Sequence, residues 1–191
     1  MKKSVKQELD KILKDNKWEF IENINWYDIS YYQKLSLDFI REFKDKVDWY
    51  YIFFGQKLSL DFIREFKDKV NWENVSQYQT LSEDFIREFQ DRVWWNVICC
   101  KQDLSEDFII ELQDKVHWRN ISYFQELSEN FIREFQFKVH WEDISNKQKL
   151  SYSFIFEFRE KLNLDTLLYR ESIENIEEFY QFVSRYELMD I

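Results

Sequence analysis

The apolar residues of this chain recur on a fixed beat. Trp26, Trp49, Trp72, Trp95, Trp118 and Trp141 stand at a constant interval, and around each runs one order of apolar and polar positions, W-x2-I-(S)-x2-Q-x-L-S-x2-F-I-x-E-F-x2-K-V. A short, strict period predicts a stack of small like units rather than one enclosed core. Within a unit the pattern is helical. Phe85, Ile86, Phe89 and Val93 fall at intervals of one, four and eight, so they share a stripe that faces inward. Ser82 supplies an N-cap oxygen ahead of them, and Glu83 and Asp84 set negative charge at the positive end of the helix. The spacing predicts a second helix of roughly 12 residues over 82–93 and a first helix of roughly 8 over 72–79, the latter capped by Asn71, with Asp48 and Asn163 at equivalent places. Trp72 and Val75 share the face that must meet the stripe, giving an αα-hairpin. Neither helix is long enough to hold alone, so neighbouring hairpins must stack and bury one another's indole and phenyl rings.

The predicted fold class is therefore all-α: an α-solenoid of stacked two-helix (αα-hairpin) repeats, one to each tryptophan interval, with degenerate capping helices. A single domain over 1–191 is expected, made of an N-terminal cap (1–25), six repeats (26–162) and an acidic C-terminal cap (163–191). Residues 16–24 match the second helix imperfectly, with Phe20 in the Phe43 column and Ile24 in the Val47 column. After the sixth repeat Leu164 replaces the tryptophan and Leu167 the isoleucine, and a longer helix is expected over 172–186, carrying Ile176, Phe179, Tyr180 and Val183. Atypical terminal units are what a solenoid needs to cover its open ends. Half of the net charge of −10 falls within 163–191.

Composition narrows the function. With 45% hydrophobic and 20% aromatic residues the chain carries ample material for a packed interior. Its 37 acidic against 27 basic side chains make a poor match to a polyphosphate, which excludes nucleic acid as the expected partner. No apolar run reaches the roughly 18 residues needed to cross a bilayer, and the opening segment, 1–17, lacks the hydrophobic centre of a signal peptide. Cys99 and Cys100 are adjacent and have no other cysteine to pair with, as reduced thiols would be. An intracellular, cytoplasmic setting without membrane attachment is expected. Proline and alanine are absent and glycine occurs once, whereas Lys, Asn, Ile, Phe and Tyr abound; an AT-rich genome is the simplest cause.

Candidate chemistry is sparse. Three columns are invariant across the six repeats: Gln33 to Gln148, Ser36 to Ser151 and Glu42 to Glu157. Each glutamate of the pairs Glu42/Lys46 and Glu88/Arg92 precedes its cation by four positions, the favourable order for a surface helix pair. The glutamines sit where the first helix leaves carbonyls unpaired, and an amide can both donate and accept there. His117 and His140 occupy the cap column of Asp48 and Asn71, and Cys99 takes the place of Ser30, Ser76, Ser122 and Ser145 without an activating base. With no Gly-rich loop and no triad spacing, no catalytic residue, cofactor site or metal site is assigned, and an enzyme is not expected.

What the core does not fix are the positions five and six after each tryptophan. Tyr31, Tyr32, Phe54, Tyr78, Lys101, Tyr123, Phe124 and Lys147 occupy them and are expected to form a partner-binding ridge along the ends of the first helices, rich in rings of the kind enriched at interfaces. A second variable group, one and two after the tryptophan, includes Tyr27, Tyr50, Tyr51, Asn96, Arg119 and Asn120.

The consensus W-x2-I-S-x2-Q-x-L-S-E-x-F-I-x-E-F-x3-V-x-W, carried over residues 26–162, resembles the short helical repeats in expanded families of giant viruses such as the mimiviruses and marseilleviruses. The resemblance implies a viral origin, an α-helical repeat fold and action in the host cytoplasm. Phe53 and Cys99 depart from its serine column, Leu112 from its second phenylalanine column, and Ile110 and Phe156 from its arginine column. The expected function is a non-enzymatic scaffold for protein–protein interaction; the alternative is a structural or assembly protein whose copies self-associate into homo-oligomers.

Overall fold

The computed structural model describes residues 1–169 and, beyond them, 177, 181 and 184. The helix expected over 172–186 lies outside the described residues. The chain forms two compact units, Met1–Trp94 and Trp95–Ile191, each holding three repeats, and among the described residues all regular structure is helical.

The first unit runs α1 (Lys3–Asn16), a 3-10 turn (Ile21–Asn23), α2 (Trp26–Tyr32), α3 (Leu37–Glu42), α4 (Trp49–Gly55), α5 (Leu60–Glu65), α6 (Trp72–Tyr78) and α7 (Glu83–Glu88). First helices stack on first helices, α2 on α4 and α4 on α6, while α1 packs on α3 and closes the array. The second unit runs α8 (Trp95–Lys101), α9 (Glu106–Glu111), α10 (Trp118–Phe124), α11 (Glu129–Glu134), α12 (Trp141–Lys147), α13 (Tyr152–Glu157) and α14 (Leu164–Tyr169), with α8, α10, α12 and α14 stacked in turn. Each unit is thus a run of two-helix repeats, the arrangement of a helical solenoid.

Local chemistry explains the starts. All six serines before the second helices accept from the backbone N–H three positions on, from Ser36 with Phe39 to Ser151 with Phe154, at 3.1–3.2 Å. Asn25, Asn71 and Asn163 cap first helices in the same way, and Asp48 does so from the Tyr50 N–H two positions on. The interior is built from the Phe-Ile pairs and the first-helix aliphatics: Phe39, Ile40, Ile52, Phe62 and Ile63 in one unit and Ile98, Phe108, Ile121, Ile132 and Phe154 in the other are essentially sealed from solvent.

The second helices proper are half the expected length; a turn follows each, as at 43–47 where Val47 N–H donates to Phe43 O at 3.0 Å, and tertiary hydrogen bonds end that turn. Were α3 to continue, Lys44 O would accept from Asp48 N–H. Instead Lys44 O accepts from the indole Nε1–H of Trp49 at 3.0 Å, and Asp48 N–H donates to Ser30 Oγ at 3.0 Å. The same exchange recurs in the second unit, where Gln136 O takes Trp141 Nε1–H and His140 N–H goes to Ser122 Oγ. Those serine hydroxyls donate to the tryptophan carbonyl four positions earlier, 2.6 Å for Ser30 to Trp26 O. Cys99 does the accepting part of this work, its Sγ taking His117 N–H at 3.3 Å. The indoles are only half-buried; they lie over the phenylalanines of their own repeat, as Trp49 does on Phe66 at 5.0 Å, instead of forming a buried spine between repeats.

Two further expectations are corrected. The glutamate column does not pair within its helix. Glu65 pairs with Arg41 at 2.8 Å, Glu88 with Arg64 at 2.6 Å and Glu157 with Arg133 at 2.8 Å, each reaching the preceding repeat, while Glu42, with no repeat before it, meets the Met1 amino group at 3.4 Å. The cations four positions on face rings instead: Lys46 lies 5.5 Å from the Trp26 ring and Arg92 5.8 Å from that of Trp72. The N-terminal cap helix lies over Lys3–Asn16 and not over 16–24. Val5, Leu9 and Ile12 form its buried stripe, and Glu8 receives the Ser36 N–H and hydroxyl, as Glu106 does for Ser128 in the second unit. Ile24 is buried as its column requires, but Phe20 is exposed.

The glutamine column joins the repeats. Gln79 Nε2 donates to Phe53 O at 2.8 Å and Gln56 O at 2.9 Å, and its Oε1 accepts from Leu58 N–H at 2.9 Å. Gln125 and Gln148 repeat the three bonds against Cys99, Gln102 and Leu104, and against Ser122, Gln125 and Leu127. Each amide satisfies the carbonyls at the end of the preceding first helix and one N–H of the following turn. Replacing Gln125 by leucine leaves three buried backbone groups without partners, and should destabilise the fold by about 2–4 kcal/mol. Glu65→Ala, which removes a surface ion pair, should cost under about 1 kcal/mol. Urea unfolding of both variants followed by circular dichroism measures the contrast; equal losses would refute it.

Candidate interaction surface

The eight variable residues of the expected ridge are divided between the two units. In the first unit Tyr31 stacks on Phe54 with ring centres 6.1 Å apart, and Phe54 meets Tyr78 edge-on at 5.1 Å. Tyr32 adjoins Tyr31 at 4.5 Å and is 74% exposed. In the second unit Tyr123 and Phe124 are edge-on neighbours at 4.7 Å, and the Lys147 ammonium lies 4.2 Å from the Tyr123 ring centre. Lys101, the last residue of α8, is exposed.

The rings one and two after the tryptophans join this surface in the first unit. Tyr51 contacts Tyr27 at 4.6 Å, Tyr31 at 4.9 Å and Tyr50 at 5.0 Å. Tyr27, Tyr31, Tyr32, Tyr50, Tyr51, Phe54 and Tyr78 therefore form one connected layer on the outer side of α2, α4 and α6. Part of the sequence signal for this merger is present: Tyr27/Tyr31 and Tyr50/Phe54 are four apart on one helix, and the repeat period makes Tyr50 the equivalent of Tyr27, next to Tyr51. The corresponding positions of the second unit are polar, with Asn120 donating to Asn96 and Arg119 pairing with the buried Asp143 at 3.2 Å.

Titratable groups here are few. The Tyr51 hydroxyl donates to that of Tyr27 at 3.1 Å, and this bond pushes its pKa up to about 12. The Tyr78 phenol is raised as well, chiefly by its hydrogen bond to Tyr50. Burial pushes the Cys99 thiol up to about 11, and burial also raises Cys100, the opposite of an activated nucleophile. His140 Nδ1 lies 2.7 Å from Asp143 Oδ2 but off the line of a ring N–H hydrogen bond. Among the described residues no three His, Cys, Asp or Glu side chains gather as a metal ion would require, and no helix is long and apolar enough to cross a membrane.

The geometry defines a two-helix repeat protein bearing an exposed aromatic layer in its N-terminal unit. No protein-family model, curated protein or solved structure matches the chain.

Two solution measurements check these environments. The neutral Tyr51 phenol is the favoured form in the folded state, so its contribution to stability is complete below pH 10 and lost as pH rises toward 12. Ultraviolet titration of tyrosinate should show a late step that returns to the ordinary range in Tyr27→Phe. With its thiol at about 11, Cys99 is thiolate in roughly one molecule in a thousand at pH 8. Peptide mapping after iodoacetamide treatment should find Cys99 unmodified in the native chain and modified in urea.

Proposed function

We propose that this chain is a non-enzymatic helical repeat scaffold that holds a protein partner against the outer ends of its first helices, within the cytoplasm of a host cell infected by the giant virus from which it comes. The observation that carries the reading is the connected layer of seven rings in the first unit. These side chains contact one another without sealing the interior: Tyr27, Tyr50 and Phe54 are each about half exposed. Tyrosine and phenylalanine supply large contact area at small entropic cost, which is why they concentrate where proteins meet. The repeat holds the backbone with invariant glutamine, serine and glutamate, leaving these columns free to vary. A net charge of −10 directs the scaffold toward proteins and away from nucleic acid.

Self-association is the second reading, favoured by Trp94 and Phe137, large apolar side chains 50% and 90% exposed outside the ring layer. Light scattering across a concentration series separates the two, since an assembling protein grows in mass and a scaffold for another protein does not. Changing Tyr31, Tyr32, Tyr78, Tyr123 and Phe124 together to serine should preserve the helical circular dichroism signal and abolish capture of partners that the original chain retains from host lysate. A variant that unfolds, or that captures the same partners, overturns the reading.

A further inference from the structure

One junction in the array departs from the repeat at several positions at once. Between the first and second repeats, Tyr31, Tyr32, Lys34, Gly55, Gln56 and Lys57 line an open cavity of about 570 Å³, with Leu35 and Leu37 at its base. In the second unit the equivalent place between the fifth and sixth repeats, lined by Glu126, Lys147, Gln148 and Lys149, has about 340 Å³. Register matches these positions one to one: Gly55 stands where Lys147 does, Lys34 where Glu126 does, and Lys57 where Lys149 does.

Each difference acts in the same direction. The Lys147 ammonium covers the Tyr123 ring at 4.2 Å, whereas Gly55 has no side chain with which to cover the equivalent ring of Tyr31. The backbone does not demand glycine there: φ is not positive, and an added Cβ would come only 3.6 Å from Tyr31 O, an ordinary contact. What the residue provides is space. Glu126 and Lys149 bring opposite charges to their junction, but Lys34 and Lys57 bring two cations to theirs, in a chain whose net charge is −10. The amide differs too. Gln148 Nε2 holds two carbonyls, but Gln56 Nε2 is buried without a partner while its Oε1 accepts from Leu35 N–H at 2.9 Å, so the amide has a free donor to offer a ligand. Glu8 and Asp15 line an adjoining groove with Lys34 and Lys11, and Glu8 is engaged by the Ser36 N–H and hydroxyl.

We propose that this cavity binds an acidic, aromatic peptide segment of a protein partner, with a carboxylate between Lys34 and Lys57 and a ring against Tyr31 and Tyr32. The proposal rests on the scaffold reading above and names the chemistry of its partner. Cations flanking exposed rings favour a ligand that carries both charge and an apolar face, which free phosphate lacks. The net charge of −10 over the whole chain disfavours such a peptide at large, so the cavity also selects where it lands.

The test uses the full chain and two fluorescein-labelled peptides, one with the core Glu-Glu-Phe-Tyr and one with Lys-Lys-Phe-Tyr, followed by anisotropy. The acidic peptide should bind at least about tenfold tighter than the basic one and weaken as salt rises. Lys34→Glu should weaken it at least about fivefold. Gly55→Lys, which installs the side chain of the sixth repeat, should do the same by filling the space. Lys149→Glu in the second unit should leave it unchanged, and all three variants should keep the circular dichroism spectrum and melting temperature of the parent. Equal binding of the two peptides, tighter binding of the basic one, binding of neither at millimolar concentration, or indifference to Lys34→Glu each overturns the proposal. Should the acidic peptide fail while the five-serine variant still loses its captured partner, the partner chemistry is wrong and the scaffold reading stands.

Discussion

A buried primary amide bridging one repeat to the previous one is the interaction on which the rest of this structure depends. The short first helices end with carbonyls that have no partner of their own, and they end inside the molecule where water cannot serve them. Gln79, Gln125 and Gln148 each return two donors to the preceding helix and accept one backbone N–H. No other neutral side chain but asparagine offers this combination, and asparagine is a methylene shorter. This duty to the backbone accounts for glutamine at these three positions, while at Gln56 only the acceptor is used, by Leu35 N–H.

Around that bridge, strict periodicity turns each column of the sequence into a ladder between repeats. Arginines of one repeat reach glutamates of the next and lie over the phenylalanine between them: Arg64 pairs with Glu88 and sits 5.1 Å from the Phe85 ring. Tryptophan and serine act as a second pair, the indole donating to a carbonyl and the hydroxyl accepting an N–H where the turn after the second helix ends. Exposed ion pairs contribute little singly, so the ladder of charges fixes register while burial of Phe and Ile supplies most of the stability.

The two units differ at the positions this scaffolding leaves unspecified. In the first unit they hold a layer of rings and, at one junction, two lysines beside a glycine; in the second unit the same positions hold asparagines, an arginine and a lysine that covers its own tyrosine. A fixed frame with a changing outer row lets two units of nearly identical backbone present different chemistry.

Hydrophobic periodicity determined the helical class and the identity of the inward Phe and Ile residues within a stretch of about a dozen residues, the serine caps followed from their place ahead of that stripe, and the recurrence of the tryptophans along the chain set the repeat length. The ring columns were legible as variable positions, and the glutamine column as a set of structural hydrogen bonds. Tertiary structure decided what depends on the equivalent residue of the adjoining repeat. The turn after each second helix ends on the indole of the following repeat and a serine hydroxyl of its own first helix, and Glu157 pairs with Arg133 of the preceding repeat while Lys161, one turn on, lies 5.2 Å from the Trp141 ring. The N-terminal cap moved to Lys3–Asn16 because Glu8 on that helix serves Ser36 as a repeat's own glutamate would. The opening at Gly55 likewise arose only once the repeats were stacked, since Tyr31 and Gly55 belong to different repeats, and so did the contacts of Tyr51 with Tyr27 and Tyr31.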